Sequence, residues 1–136
     1  MNNFYKKIIL FIFLALGFGS VQAQNAGHAP LEEVVSAIRV NRMQDIDKYM
    51  ESFVTISINN IQSIYSHNQA QVILRDFFDK NDPKDLLVMD SGTPTSSSAF
   101  VIGGYDAANG TKYIVYVLMK MKDNKFVLQE IRVNKD

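Results

Sequence analysis

Ala99-Phe100-Val101-Ile102, Lys112-Tyr113-Ile114-Val115-Tyr116-Val117-Leu118-Met119 and Lys125-Phe126-Val127-Leu128-Gln129-Glu130-Ile131-Arg132-Val133 fall within one stretch, Ser96 to Val133, of a 136-residue chain. Their β-branched and aromatic content predicts three consecutive strands. Ala107-Ala108-Asn109-Gly110 separates the first two, and Asn-Gly supplies the positive φ angles of a tight turn. Asp123-Asn124 separates the second from the third. The middle strand is apolar on both faces, so each face needs a cover. The upstream sequence is read as the cover for one of them.

The alternation of the middle strand sets the register. Lys112, Ile114, Tyr116, Leu118, Lys120 and Lys122 share one face, and Tyr113, Val115, Val117, Met119 and Met121 the other. Unpaired lysine is rarely buried, so the first set is outward. A two-residue loop at Asp123-Asn124 pairs Lys122 with Lys125 and, carried through, sets Glu130 and Arg132 beside Val115 and Val117. One more loop residue pairs Lys122 with Phe126 and turns Val127, Ile131 and Val133 inward. Burying two charges among valines costs more than a bulge, which favours the longer loop. The outward face then carries Ile114, Tyr116, Leu118 and Leu128, rimmed by Lys120, Glu130 and Arg132. An apolar patch of that kind is the expected self-association surface.

Upstream, Leu31, Val34, Val35 and Ile38 recur at helical spacing behind Pro30, a residue suited to a first turn. Glu32, Glu33 and Arg39 face elsewhere. A second short helix is expected to carry Met43, Ile46, Tyr49 and Met50 on one side. Val54, Ile56 and Ile58 alternate with Thr55 and Ser57 as a half-buried strand, and Asn59-Asn60 turns it into a partner over Ile61 to Tyr65. Ser66-His67-Asn68-Gln69 is a capping-box pattern. It opens a third helix with the stripe Ala70, Ile73, Leu74, Phe77 and Phe78, which should stop by Asn81-Asp82-Pro83. Leu86 to Asp90 reads as a strand, and Ser91 to Ser98 as a polar connection. The order predicts an α+β fold, a curved, mostly antiparallel sheet forming a cone with three helices on its concave face.

The first 23 residues have another purpose. Lys6-Lys7, the apolar run Ile8 to Phe18 and Val21-Gln22-Ala23 have the layout of a signal peptide cleaved before Gln24. Eleven apolar residues are too few for a membrane span, which takes about 20. The expected product is an exported, periplasmic or secreted bacterial protein with no membrane attachment after cleavage. It comprises a flexible leader (24–29) and a single domain (30–134). Cleavage removes two of the 14 basic residues and none of the 14 acidic ones, leaving 12 against 14, a net charge of −2. That balance argues against nucleic acid as partner. Without cysteine, the core alone must stabilise the domain.

The element order, the hairpin after the first helices, Phe77-Phe78 at a helix end and the closing meander resemble the nuclear-transport-factor-2-like superfamily, a cystatin-like α+β fold. Ile102-Gly103-Gly104-Tyr105, Tyr113-Ile114-Val115-Tyr116 and Leu128-Gln129-Glu130-Ile131-Arg132-Val133 further resemble small exported bacterial proteins that carry a domain of unknown function. The resemblance covers residues 30–134 and implies a fold and a homodimer through the outer sheet face. These motifs are structural and transfer no activity.

Enzymes of that superfamily place an Asp or His and tyrosines in the cone, where an apolar pocket shifts a carboxyl pKa. The corresponding pocket candidates are Tyr65, Asp90 and Tyr113, with Tyr116 and His67 behind them. Asp90 beside Ser91-Gly92 equally suits a turn, and His67 a solvated first helical turn. His28 reads as a solvated terminal residue. Two separated histidines and no cysteine give no metal-ligand spacing, and no cofactor motif is present. The sequence therefore favours a non-catalytic ligand-binding or protein-interaction module, with a homodimer or a small apolar ligand as partner. The alternative is a small-molecule isomerase, dehydratase or hydrolase with its site in the cone.

Overall fold

The computed structural model describes residues 27–136. The expected signal peptide and leader residues 24–26 lie outside the described residues. Helix α1 spans His28–Arg39, two 3₁₀ turns follow at Met43–Asp45 and Asp47–Tyr49, and helix α2 spans His67–Lys80. The strands are β1 (Met50–Ile58), β2 (Ile61–Ser66), β3 (Pro83–Thr95), β4 (Ser98–Ala107), β5 (Lys112–Lys122) and β6 (Lys125–Lys135). They form one six-stranded sheet in the order β2-β1-β6-β5-β4-β3, with β1 and β6 parallel and every other pair antiparallel. The sheet is curved, and the two helices with the 3₁₀ turns between them cover its concave face.

Local chemistry explains most boundaries. Ser66 accepts a bond from the Gln69 amide, while the Gln69 side chain accepts one from the Ser66 amide, so the capping box forms. Asn59-Asn60 and Asp123-Asn124 both hold two successive positive φ angles, the geometry of a two-residue hairpin turn. Buried Leu31, Val34, Val35 and Ile38 form the inner stripe of α1, and buried Ala70, Leu74, Phe77 and Phe78 that of α2.

Four expectations need correction. Residues 28 and 29, expected in the leader, already belong to α1, which begins at His28. Pro30 is tolerated there because the first four amides of a helix have no intrahelical acceptor. Gly27 presses on the sheet: a Cβ on it would lie 2.9 Å from that of Ala99 and 3.0 Å from the Phe126 ring. The second helix is two 3₁₀ turns. Asn41, at φ 52°, ends α1, and too few residues remain before β1 for an α-helix.

The stretch Ser91 to Thr95 continues β3, with the hairpin closing at Thr95 opposite Ser98. Because β3 is an edge strand, Pro94 need not supply a ladder hydrogen bond. Finally, the turn at Asp123-Asn124 has two residues, pairing Lys122 with Lys125. The extra residue sits further along, as a bulge: Met119 pairs with Leu128 but Leu118 with Glu130, leaving Gln129 unmatched. Ile131 and Val133 point inward and Arg132 outward, as the burial argument requires. Leu128, however, is buried at 1% exposure, and Val127 takes its place on the outer face.

Candidate functional site

On the concave side, α1 lies over β3 and β4 without sealing against them. A groove of about 380 Å³ remains, lined by Leu31, Val35, Val88 and Val101 below and by His28, Glu32, Ser36, Arg39 and Ser91 around it. Val88 pairs with Gly103 and Ser91 with Val101, which places both on the helix-facing side of β3. Below the groove the core closes: the space between Val35, Ile38, Leu86, Gly103, Val115 and Val117 is only about 10 Å³. Gly103 permits this closeness, since a Cβ there would meet a Leu86 methyl at 2.8 Å. Arg39 anchors the far end, its Nε and Nη2 donating to the Leu86 carbonyl at 3.3 and 3.1 Å. The volume is within the range of small-molecule sites, about 300–1,000 Å³.

The other end of the concave face is filled. Phe77 and Phe78 meet edge to face at 5.2 Å, Phe77 meets Tyr113 at 5.2 Å and Phe78 meets Tyr105 at 5.5 Å. Both tyrosine hydroxyls are committed to Asn81, the residue that ends α2. Tyr105 donates to its carbonyl, and Tyr113 to its Oδ1 at 2.9 Å. Asn109 Nδ2 also donates to that Oδ1, at 3.0 Å, while the Asn81 amide group donates to the Phe77 carbonyl at 2.9 Å.

Burial pushes the Tyr105 hydroxyl pKa well up, helped by the nearby charge of Asp82 and by Tyr113. A folded value above the unfolded one, near 10.0, means that stability is complete below that pH and falls as pH rises past it. One pH unit above, this single group accounts for about 1.4 kcal/mol of lost stability. Tyr105→Phe should therefore show a smaller loss in urea midpoint than wild type on going from about pH 9 to about pH 11. Equal losses would reject the assignment.

The pocket candidates from the sequence do not converge. Tyr113 is buried in the aromatic cluster. Tyr65 is on β2, three strands away or about 14 Å, where it borders a shallow apolar surface with Asn68, Gln69, Val72 and Ile73. Asp90 pairs with Ile102 on the convex face, is exposed, and accepts from the Ser91 amide at 2.8 Å. His67 opens α2 at the surface, half-buried. The sequence does not single out the groove residues, because Glu32 and Arg39 look like the solvated side of an amphipathic helix and the polar composition after Asp90 hides the continuation of β3 to Ser91. Among the described residues, no three His, Cys, Asp or Glu side chains gather as a metal site.

The convex face carries Phe100, Ile102, Ile114, Tyr116, Leu118 and Val127 in adjoining rows. Phe100 and Tyr116 stack at 6.4 Å, and the Arg132 guanidinium lies 5.2 Å from the Tyr116 ring centre. Arg132 also binds Glu130, with Nε to Oε1 at 2.5 Å and Nη2 to Oε2 at 3.1 Å. Of the four residues expected here, Ile114, Tyr116 and Leu118 are in place and Leu128 is not. No helix among the described residues is long and apolar enough to cross a membrane.

Solved structures share this architecture. A DUF4783 family protein from Bacteroides uniformis aligns with a TM-score of 0.72 and 26% identity, over 77% of this chain and 95% of its own. One from Bacteroides ovatus aligns at 0.71 and 26% identity, over 76% and 93%. An NTF-2-like protein of unknown function from Silicibacter pomeroyi aligns at 0.57 and 12% identity, over 79% and 91%, a likeness of fold alone. No curated protein matches the chain. The fold is NTF2-like. Residues 31–134 match the domain of unknown function DUF4783, and the chain belongs to that family.

Proposed function

We propose that the protein is an exported, non-catalytic binding module whose ligand occupies the groove between α1 and the β3–β4 hairpin. The observation that carries this reading is the groove's construction, an apolar floor within a polar rim on the concave side of the sheet. An isomerase or dehydratase would instead need its ionisable groups to converge. Tyr113 and Tyr105 have their hydroxyls bound to Asn81, and Asp90 lies on the opposite face. Native mass spectrometry of the protein from its own host tests the reading. An adduct of discrete mass should appear on wild type and be lost in Val88→Trp, which fills the groove. The same spectrum for both proteins would end it.

A second reading rests on the convex face, where the six-residue apolar band suits a homodimer through the sheets. Tyr116→Glu should leave the circular dichroism spectrum unchanged and convert a sedimenting dimer to a monomer. A wild-type protein that is monomeric at high concentration would remove this reading. The signal-peptide layout supports export, with Gln24 expected as the first residue of the mature chain. Intact mass of the exported form checks this, and a retained Met1–Ala23 segment in the membrane fraction would refute it.

A further inference from the structure

We infer that the groove binds a short zwitterionic peptide of about three residues, with its carboxylate at Arg39 and its ammonium at Glu32. This deepens the ligand-binding reading and rests on it.

Glu32 and Arg39 both line the groove and are seven residues apart on α1. Two helical turns bring them to one face, separated by about 10 Å at 1.5 Å of rise per residue. That distance is too great for them to pair with each other. Most of the charged groups around them are neutralised locally. Glu33 binds Lys48 at 2.5 Å and accepts from the Tyr49 hydroxyl at 2.6 Å, and Arg42 binds Asp45 at 3.2 Å. Among the described residues, Glu32 has neither an ion pair nor a side-chain hydrogen bond. Among the described residues Arg39 bonds only the Leu86 carbonyl, through Nε and Nη2, which fixes the guanidinium and leaves Nη1 to bind. A negative site and a positive site therefore stand at the two ends of one groove.

Between them the floor is apolar, from Leu31, Val35, Val88 and Val101. A complementary ligand carries a cation at one end, an anion at the other and an apolar body between. An extended peptide advances about 3.3–3.6 Å per residue, so three residues place its charged termini about 10 Å apart. Its middle side chain then meets the apolar floor, while Ser36 and Ser91 on the rim offer hydroxyls to its amides. A fatty acid satisfies Arg39 and the floor but leaves Glu32 unmatched. A free amino acid is too short to reach both charges.

The test titrates the purified protein with Ala-Val-Ala and follows backbone amide shifts by NMR. Three further probes run alongside it: the N-acetylated peptide, the C-terminal amide and octanoate. The free tripeptide should shift α1 and β3 resonances, and blocking either terminus should weaken binding at least tenfold. Glu32→Gln should abolish the preference for a free amine, and Arg39→Lys should weaken the preference for a free carboxylate. Among the described residues Glu32 makes no side-chain hydrogen bond or ion pair, so loss of folding does not obscure the Glu32→Gln arm. Equal binding of blocked and free peptides, or binding of octanoate alone, would overturn the inference. Should no tripeptide bind while the native adduct persists and is lost in Val88→Trp, the groove remains a ligand site and the peptide assignment falls.

Discussion

Phe78→Ala should lower the unfolding free energy by about 4 kcal/mol, and Phe77→Ala by about 3, read as shifts of the urea midpoint at constant slope. Phe78 is fully buried as one of four rings in a closed cycle, touching Phe77 on one side and Tyr105 on the other. Phe77 retains 9% exposure, so its truncation opens a cavity that solvent partly reaches. Both changes act on more than the lost apolar area. Phe77 supplies the carbonyl that Asn81 uses, and Asn81 in turn holds Tyr105 and Tyr113. A cavity beside that hub leaves two buried hydroxyls less firmly placed, and a buried hydroxyl without a partner costs about 1–3 kcal/mol more. A domain of this size typically has about 5–15 kcal/mol in all. A shift worth less than about 1 kcal/mol for either variant would mean that the aromatic cluster is not the core of this end of the fold.

The aromatic stripe, the capping box and the Asn59-Asn60 turn were legible because each is set by local chemistry. Periodicity alone identifies Phe77 and Phe78 as inward, and Ser66 with Gln69 as a helix start. Legibility fails where distant chain decides the outcome. Ser91 to Thr95 has loop composition, yet β4 is available to pair with it, and an edge position tolerates its proline. Asn81 reads as a helix stop, whereas its contacts come from Tyr105, Tyr113 and Asn109, 24 to 32 residues away. The groove was the least visible feature. Its lining combines one helix face with two strands, and neither Glu32 nor Arg39 departs from the pattern of a solvated surface.

The register of β6 gives the sharpest test of the fold, because the two alternatives exchange neighbouring residues. Glu130 and Arg132 stay off the face that holds Val115 and Val117, as the cost of burying their charges requires. The extra residue that achieves this sits at Gln129 and not in the turn. Asp123 and Asn124 tolerate positive φ, so the short hairpin turn forms without strain, and the bulge absorbs the odd residue further along, at Gln129. Between turn and bulge the faces are therefore reversed relative to the expectation. Leu128 opposes buried Met119 across the antiparallel pair and Met50 across the parallel one, while Val127 opposes exposed Lys120. Leu128→Lys would set an unpaired ammonium among Met50, Met119 and Ile131, where desolvation costs several kcal/mol, and it should leave little folded protein at room temperature. Val127→Lys places its charge on the outer face beside Lys120 and should change stability by less than about 1 kcal/mol. With Phe126 opposite Lys122 the two outcomes would be interchanged, so urea titration of this pair of variants decides which register β6 adopts.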